Sequence, residues 1–408
     1  PRFYRIDPWL VPMFSNSRAE MNNSLTVLQV IPRMRAGGAE LGCLQIATAL
    51  VQNGHRALVA SEGGLLVDQL KAAGAEHIKM PLATKNPLGL IKNASKLAGI
   101  IRQENVSIIH ARSRAPAWSA LYAARRTGIP FVTTYHSEYS EKGRLKNFYN
   151  GVMARSDIVI AVSDYMAHLI RTRYKTPEGR IAVIHRAFDA EVFDRSKLTP
   201  ERIAAVRKQL DADGSKPVLM LAGRITPRKA QHHLVDALGL LRAQGAPDLI
   251  CVLAGEIEKP AFRSELEAQA KRLGVSHQLR FPGHVKDIAA AYAISDIALN
   301  ISEQEGLPRV AIEAQAMGVP LIVSDTGPGR EVALTEPDVS ADKASGLRVP
   351  YAAPDAVAAA ISRMLSWRGR ANVHSRFTLQ QLISKTLAVY HRVLLGRSSS
   401  GQFLPDKP

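Results

Sequence analysis

Glu305-Gly306-Leu307-Pro308-Arg309-Val310-Ala311-Ile312-Glu313 sets two carboxylates eight residues apart around a Gly-Leu-Pro turn. The residues after the turn read as a short helix. Pro308 suits its first position, where a missing N–H costs nothing. Gly318 suits its end, where a positive φ is wanted, and Pro320 opens the next apolar run. Glu305 therefore lies on the loop before the helix and Glu313 inside it. The free N–H groups at the helix start form an anion site suited to phosphate. A carboxylate on either side accepts hydrogen bonds from hydroxyls. A ligand with hydroxyls, then phosphate, then hydroxyls is a sugar nucleotide. Spacing alone also fits a solvated helix start, so the rest of the chain has to decide.

Outward from that stretch, short β-rich runs alternate with helical ones. Leu25–Pro32, Ala57–Ser61, Ser107–His110, Phe131–Tyr135, Ile158–Val162 and Ile181–Ile184 read as buried strands, with a helix over Ala39–Asn53. The pattern restarts at Pro217–Gly223 and continues through Leu249–Gly255, Leu279–Phe281, Ile297–Ile301 and Pro320–Ser324. Such alternation predicts an α/β chain with two Rossmann-like, doubly wound parallel-sheet domains facing across a cleft. Residues 1–23 are expected to be a poorly structured leader, 24–195 the first domain and 196–375 the second. Residues 376–395 are expected as a C-terminal helix packing back on the first domain, and 396–408 as a disordered tail.

The 408 residues suffice for two domains, and 46% hydrophobic with 22% charged residues is ordinary for a globular chain. No run reaches the ~18 apolar residues of a membrane span. Cys43 and Cys251 fall in different halves, so buried thiols in a reducing compartment are expected, and no zinc site. The net charge is +17. Residues 1–200 carry 27 Lys and Arg against 15 Asp and Glu, most of that excess. The field attracts an anionic partner. Aromatic content of 6% and the lack of a nucleic-acid module favour an anionic membrane surface or lipid-linked glycan over nucleic acid.

Gly37-Gly38 follows the first strand and lets backbone approach a ligand closely, although a plain tight turn explains it as well. Arg224 and Lys229 flank the end of the strand that opens the second half. Facing Glu305–Glu313, they would clamp a diphosphate; alone they fit a solvated loop. His136 lies just past a buried strand, as many hydrogen-bonded loop histidines do. Asp211-Ala212-Asp213 has a metal-binding pattern but sits in a polar connection, which favours a surface loop. Ser113–Arg126 and the run to Lys146 are basic and partly aromatic. Arg125, Arg126, Arg144 and Lys146 are expected to form an acceptor or membrane face.

The string from Glu305 to Glu331 resembles the donor-binding signature of retaining glycosyltransferases of family 4, which have the GT-B fold. "GGAE" at 37–40, "AGRITPRKA" at 222–230 and "TTYH" at 133–136 resemble further elements of that family. The resemblance implies that Glu305 and His136 serve the reaction centre. It also implies that Gly37, Gly38, Arg224, Lys229, Val285, Gly306, Leu307 and Glu313 hold the donor, with Glu313 on the ribose. Two positions depart from the family. Ala230 replaces a glycine, and His185-Arg186-Ala187 replaces Pro-Asn-Gly. "HARSRAPAWSA" at 110–120 is similar to cell-envelope members such as lipopolysaccharide-core enzymes.

The expectation is a metal-independent, cofactor-free hexosyltransferase, cytoplasmic and peripheral at the inner face of the cytoplasmic membrane. It would pass a sugar from a nucleoside diphosphate to a lipid-linked or lipopolysaccharide-core acceptor. A sugar-nucleotide epimerase or hydrolase would need no acceptor. A basic membrane- or nucleic-acid-binding protein would need no donor.

Overall fold

A computed structural model of the chain describes residues 24–35, 37–139, 143–367, 371 and 373–398. The leader lies outside them. The described residues form thirteen strands: β1 Thr26–Val30, β2 Arg56–Ser61, β3 Glu76–Lys79, β4 Ile108–Ala111, β5 Phe131–Tyr135, β6 Ile158–Ala161, β7 Ile181–Val183, β8 Val218–Ala222, β9 Ile250–Ala254, β10 Leu279–Gly283, β11 Ile297–Asn300, β12 Leu321–Ser324 and β13 Gly346–Val349. They form two parallel sheets, ordered β3-β2-β1-β4-β5-β6-β7 and β10-β9-β8-β11-β12-β13. Both faces of each sheet are covered, so the central strands are apolar throughout. Val27, Leu28, Ile108 and Ile109 in one sheet and Leu219, Met220 and Val252 in the other have no exposure. Burying each such side chain stabilises by about 1.5–3 kcal/mol.

Two of the four edge strands, β3 and β13, escape the sequence reading. Each has four residues, and the β3 sequence Glu-His-Ile-Lys is only half-buried, so it carries no apolar run. The helix Leu379–Ser398 returns to the first domain, where Tyr390 Oη and His110 Nδ1 lie 2.7 Å apart. It runs past 395 into the stretch expected to be a disordered tail, and the rest of that tail lies outside the described residues. Cys43 and Cys251 are buried free thiols, and burial pushes both up, to about 11 and about 12.

Strand order reverses between β1 and β4 in the first sheet and between β8 and β11 in the second. Loops leaving such a reversal diverge and open a crevice at the strands' carboxyl ends. The loops at these two reversals are the ones that hold Gly37-Gly38, Arg224-Lys229 and Glu305–Pro308.

Candidate functional site

Gly37 precedes the helix Gly38–Gln52 in extended conformation, so the first N–H groups of that helix face the crevice. From the second domain the helix Arg309–Ala316 presents its own N-terminus. Pro308 stands one residue before it, at the cap and not at the first helical position, because its ψ of 105° is extended. Gly318 ends the element at φ 74°, as its place after the last turn requires.

Glu305 and Lys229 form an ion pair, and Asn300 Nδ2 lies 3.4 Å from the same carboxylate oxygen. Burial pushes the Glu305 carboxyl up. The Lys229 ammonium, with hydrogen bonds from Lys229, Ser302 and Asn300, overcomes this and holds it below the ordinary carboxylate value. Lys229 ends the turn Pro227–Lys229, and Ala230 follows at φ 57°, where the resembled family has its glycine. The alanine methyl is wholly buried. Arg224 does not join Lys229. Its guanidinium turns outward to Glu258 at 3.0 Å and is 63% exposed. Glu313 is 8% exposed and pairs with Arg309 at 3.3 Å. Leu307 and Val285 are buried in the core, which leaves only their backbone to meet a ligand.

Gly306 meets the first domain directly. A Cβ there would lie 1.9 Å from the carbonyl oxygen of His136. The Gly306 carbonyl accepts from Ser163 Oγ at 2.8 Å. His136 is thereby held by its backbone against Gly306. Burial, then Arg186 and Arg112, hold its imidazole well below the ordinary value, so it is neutral, and its Nε2 is buried without a hydrogen-bond partner.

Arg125, Arg126, Arg144 and Lys146 are all exposed. Other cations of that stretch are structural: Arg114 donates to Asn150 at 2.6 Å and stacks on Tyr139. Asp211 pairs with Arg280 at 2.8 Å, and Asp213 accepts from Ser215 N at 2.9 Å, so the Asp-x-Asp pattern is a turn. Among the described residues no helix is long and apolar enough to cross a membrane.

Three features escaped the sequence reading. Arg186 was visible only as a departure from a motif, Arg309 only as a letter inside one. Glu331 reaches the first domain, where its carboxylate accepts from the N–H groups of Asp164 at 2.8 Å and Tyr165 at 2.6 Å. No local pattern announces a contact between segments so far apart.

Residues 36–192 match Glycosyltransferase Family 4, and residues 203–377 match Glycosyl transferases group 1. A glycosyltransferase from Rickettsia africae ESF-5 is 31% identical, with a TM-score of 0.80 over 91% of this chain and 99% of that one. The D-inositol 3-phosphate glycosyltransferase of Jonesia denitrificans is 29% identical over 91% of each chain. Anabaena Alr3699/HepE in complex with UDP-glucose shares the fold, at 22% identity and a TM-score of 0.74 over 92% of this chain and all of that one. With its two facing sheets, paired helix N-termini and both family matches, the chain belongs to the family 4 glycosyltransferases of the GT-B fold.

Proposed function

We propose that the protein transfers a sugar from a nucleoside diphosphate with retention of configuration, without a metal, to an anionic acceptor. The carrying observation is the Lys229–Glu305 ion pair at the N-terminus of Arg309–Ala316, opposite the neutral His136. The chemical difficulty is departure of the diphosphate. Lys229 and the helix N–H groups stabilise the charge that grows on it, and Arg224 swings in from its exposed pair with Glu258. Glu305, ionised and held in place, accepts hydrogen bonds from sugar hydroxyls, and Glu313 accepts from the ribose. The acceptor hydroxyl attacks on the face the diphosphate leaves. The departing phosphate takes its proton, so no dedicated base is needed.

The donor reading is supported by the Anabaena relative, whose structure holds UDP-glucose. An anionic acceptor is supported by the charge excess of residues 1–200 and by the D-inositol 3-phosphate named for the Jonesia relative. The exposed basic residues beside Leu145 and Phe148 favour one that is lipid-linked, such as a lipopolysaccharide core, met at the inner face of the cytoplasmic membrane. A melting-temperature screen against UDP-, GDP- and ADP-sugars tests the donor, because a ligand that binds only the folded chain raises its stability by mass action. A flat response across all of them defeats the reading.

A further inference from the structure

A second cationic centre lies beside the reaction centre, on the first-domain side of Glu305. Arg186 Nη2 is 3.3 Å from both Nδ1 and the carbonyl oxygen of His136. A Cβ on Gly38 would lie 2.3 Å from Arg186 Nη1 and 3.4 Å from Arg309 Cδ. Two guanidinium side chains therefore meet over the first residue of the Gly38–Gln52 helix. One of them begins the Arg309–Ala316 helix. Helix N-termini repel cations. Among the described residues Arg186 forms no ion pair, Glu305 and Glu40 acting on it only from further off, and its Nε is buried without a partner. Burial, then Arg309, pushes the Arg186 guanidinium down to about 10. Arg112, 5% exposed, adds a third guanidinium with an unpartnered Nη2. The cavity these groups share holds about 30 Å³, room for an acid group. Arg309 keeps its pair with Glu313, but three guanidinium groups gathered at two helix starts leave a cationic pocket that an anion relieves.

We infer that Arg186 and Arg309, backed by Arg112, form an acid-recognising subsite for a carboxylate or phosphate carried by one of the two reacting sugars. The inference rests on the proposed donor site. It is distinct from the Lys229 clamp, whose ammonium is paired with Glu305. Arg186 stands where the resembled motif has an uncharged residue.

The full chain is titrated calorimetrically with UDP, GDP and ADP all present, so that the diphosphate clamp is filled whichever base it takes. The probes are glucuronate against glucose and myo-inositol 3-phosphate against myo-inositol. At least one acid is expected to bind about tenfold or more tightly than its neutral partner. Arg186→Gln is expected to bring that ratio close to one. A preference for glucuronate assigns the acid to the donor sugar, and one for inositol 3-phosphate assigns it to the acceptor. Equal binding of acid and neutral probes overturns the subsite, as does a preference that survives Arg186→Gln. Removing an unpaired cation should leave the melting temperature of the unliganded chain unchanged or higher. If that variant unfolds, Arg309→Gln carries the same test. A chain whose melting no nucleotide raises defeats the donor reading, while the acid-against-neutral comparison still decides the subsite.

Discussion

Glu331, on the second domain, accepts the backbone N–H of Tyr165 on the first at 2.6 Å, across 166 residues of sequence. The same carboxylate takes the N–H of Asp164 and so caps the helix Asp164–Tyr174 from the other side of the cleft. His185 completes the contact, with Nε2 3.3 Å from Asp164 and 3.4 Å from Glu331. Arg376 donates to the Glu331 carbonyl oxygen, and the charges of Arg376 and Lys385 act on Asp164. Arg376 and His374 also face His185.

This junction is expected to depend on pH. Burial pulls the His185 imidazole down, but Asp164 and Glu331 raise it above its ordinary value. Its contribution is therefore full below the unfolded value of about 6.5 and is lost as pH rises through the higher folded value. Asp164, held low chiefly by His185, contributes above its ordinary value and fails on acidification. The melting-temperature gap between the wild type and His185→Gln should therefore shrink from about pH 6 towards about pH 9. A gap constant across that range removes the imidazolium from the account. Glu331→Ala should cost about 1 kcal/mol, as loss of a helix cap does, and should expand the molecule in small-angle scattering.

Gly306 tests closure from the other side. Gly306→Ala places a methyl against the His136 carbonyl, which lies on a separate domain. Each domain folds around its own sheet, so the clash should be relieved by opening the cleft. Turnover should fall about 100-fold or more, the scale of misplacing reacting groups, while melting shifts little. A large loss of melting temperature with turnover preserved would place the glycine in the folding core instead.

The fold was legible because burial on both faces writes strands as apolar runs, and eleven of the thirteen strands carry such a run. The element carrying Glu305 and Glu313 was legible because its residues are consecutive: a loop, a proline and a helix start place both by local rules. Contacts across the cleft were not. Arg186 meets Gly38 and Arg309 only after two domains close, and nothing near residue 186 encodes that meeting. Arg224 shows the opposite limit. Its position was read correctly from the strand end, but its orientation depends on Glu258, which belongs to a different loop.

Glu313 is expected to serve the ribose. It lies one turn into its helix, buried, and among the described residues only Arg309, at 3.3 Å, pairs with it. Glu313→Gln keeps the shape and removes the charge, so each charge-assisted hydrogen bond weakens by roughly 1.5–3 kcal/mol. Affinity for the free nucleoside diphosphate should fall about tenfold or more, with melting preserved. Unchanged affinity in calorimetry would move the ribose elsewhere.

Activity is expected to survive chelation. Lys229 and the Arg309–Ala316 helix start supply positive charge for the diphosphate, and Asp213 is committed to its own turn with Ser215. Among the described residues, the three ligand-type side chains that gather are Asp164, His185 and Glu331, and that carboxylate already caps a helix. Assays with EDTA and with Asp213→Asn should match the untreated wild type. Turnover abolished by chelation and restored by magnesium or manganese would show that the diphosphate is held differently.

The acceptor should be met on a membrane. The Arg144–Asn150 helix exposes Leu145 at 87% and Phe148 at 57%, next to Arg144 and Lys146. Phe148 packs on Trp118, whose helix also carries the exposed Tyr122, Arg125 and Arg126. Apolar tips among cations fit an anionic bilayer, where each nearby Lys or Arg contributes about 1 kcal/mol and salt screens the attraction. The chain should sediment with anionic vesicles at low salt, less at high salt, and poorly with neutral ones. Reversing charge at Arg125, Arg126, Arg144 and Lys146 should abolish that binding and slow transfer to a lipid-linked acceptor. It should spare nucleotide binding, because Lys229 and Glu305 lie on the other domain. Leu145→Ser with Phe148→Ser should weaken vesicle binding even at low salt, since the apolar tips would no longer insert. Equal sedimentation of both variants and the wild type would make this face ordinary solvated surface.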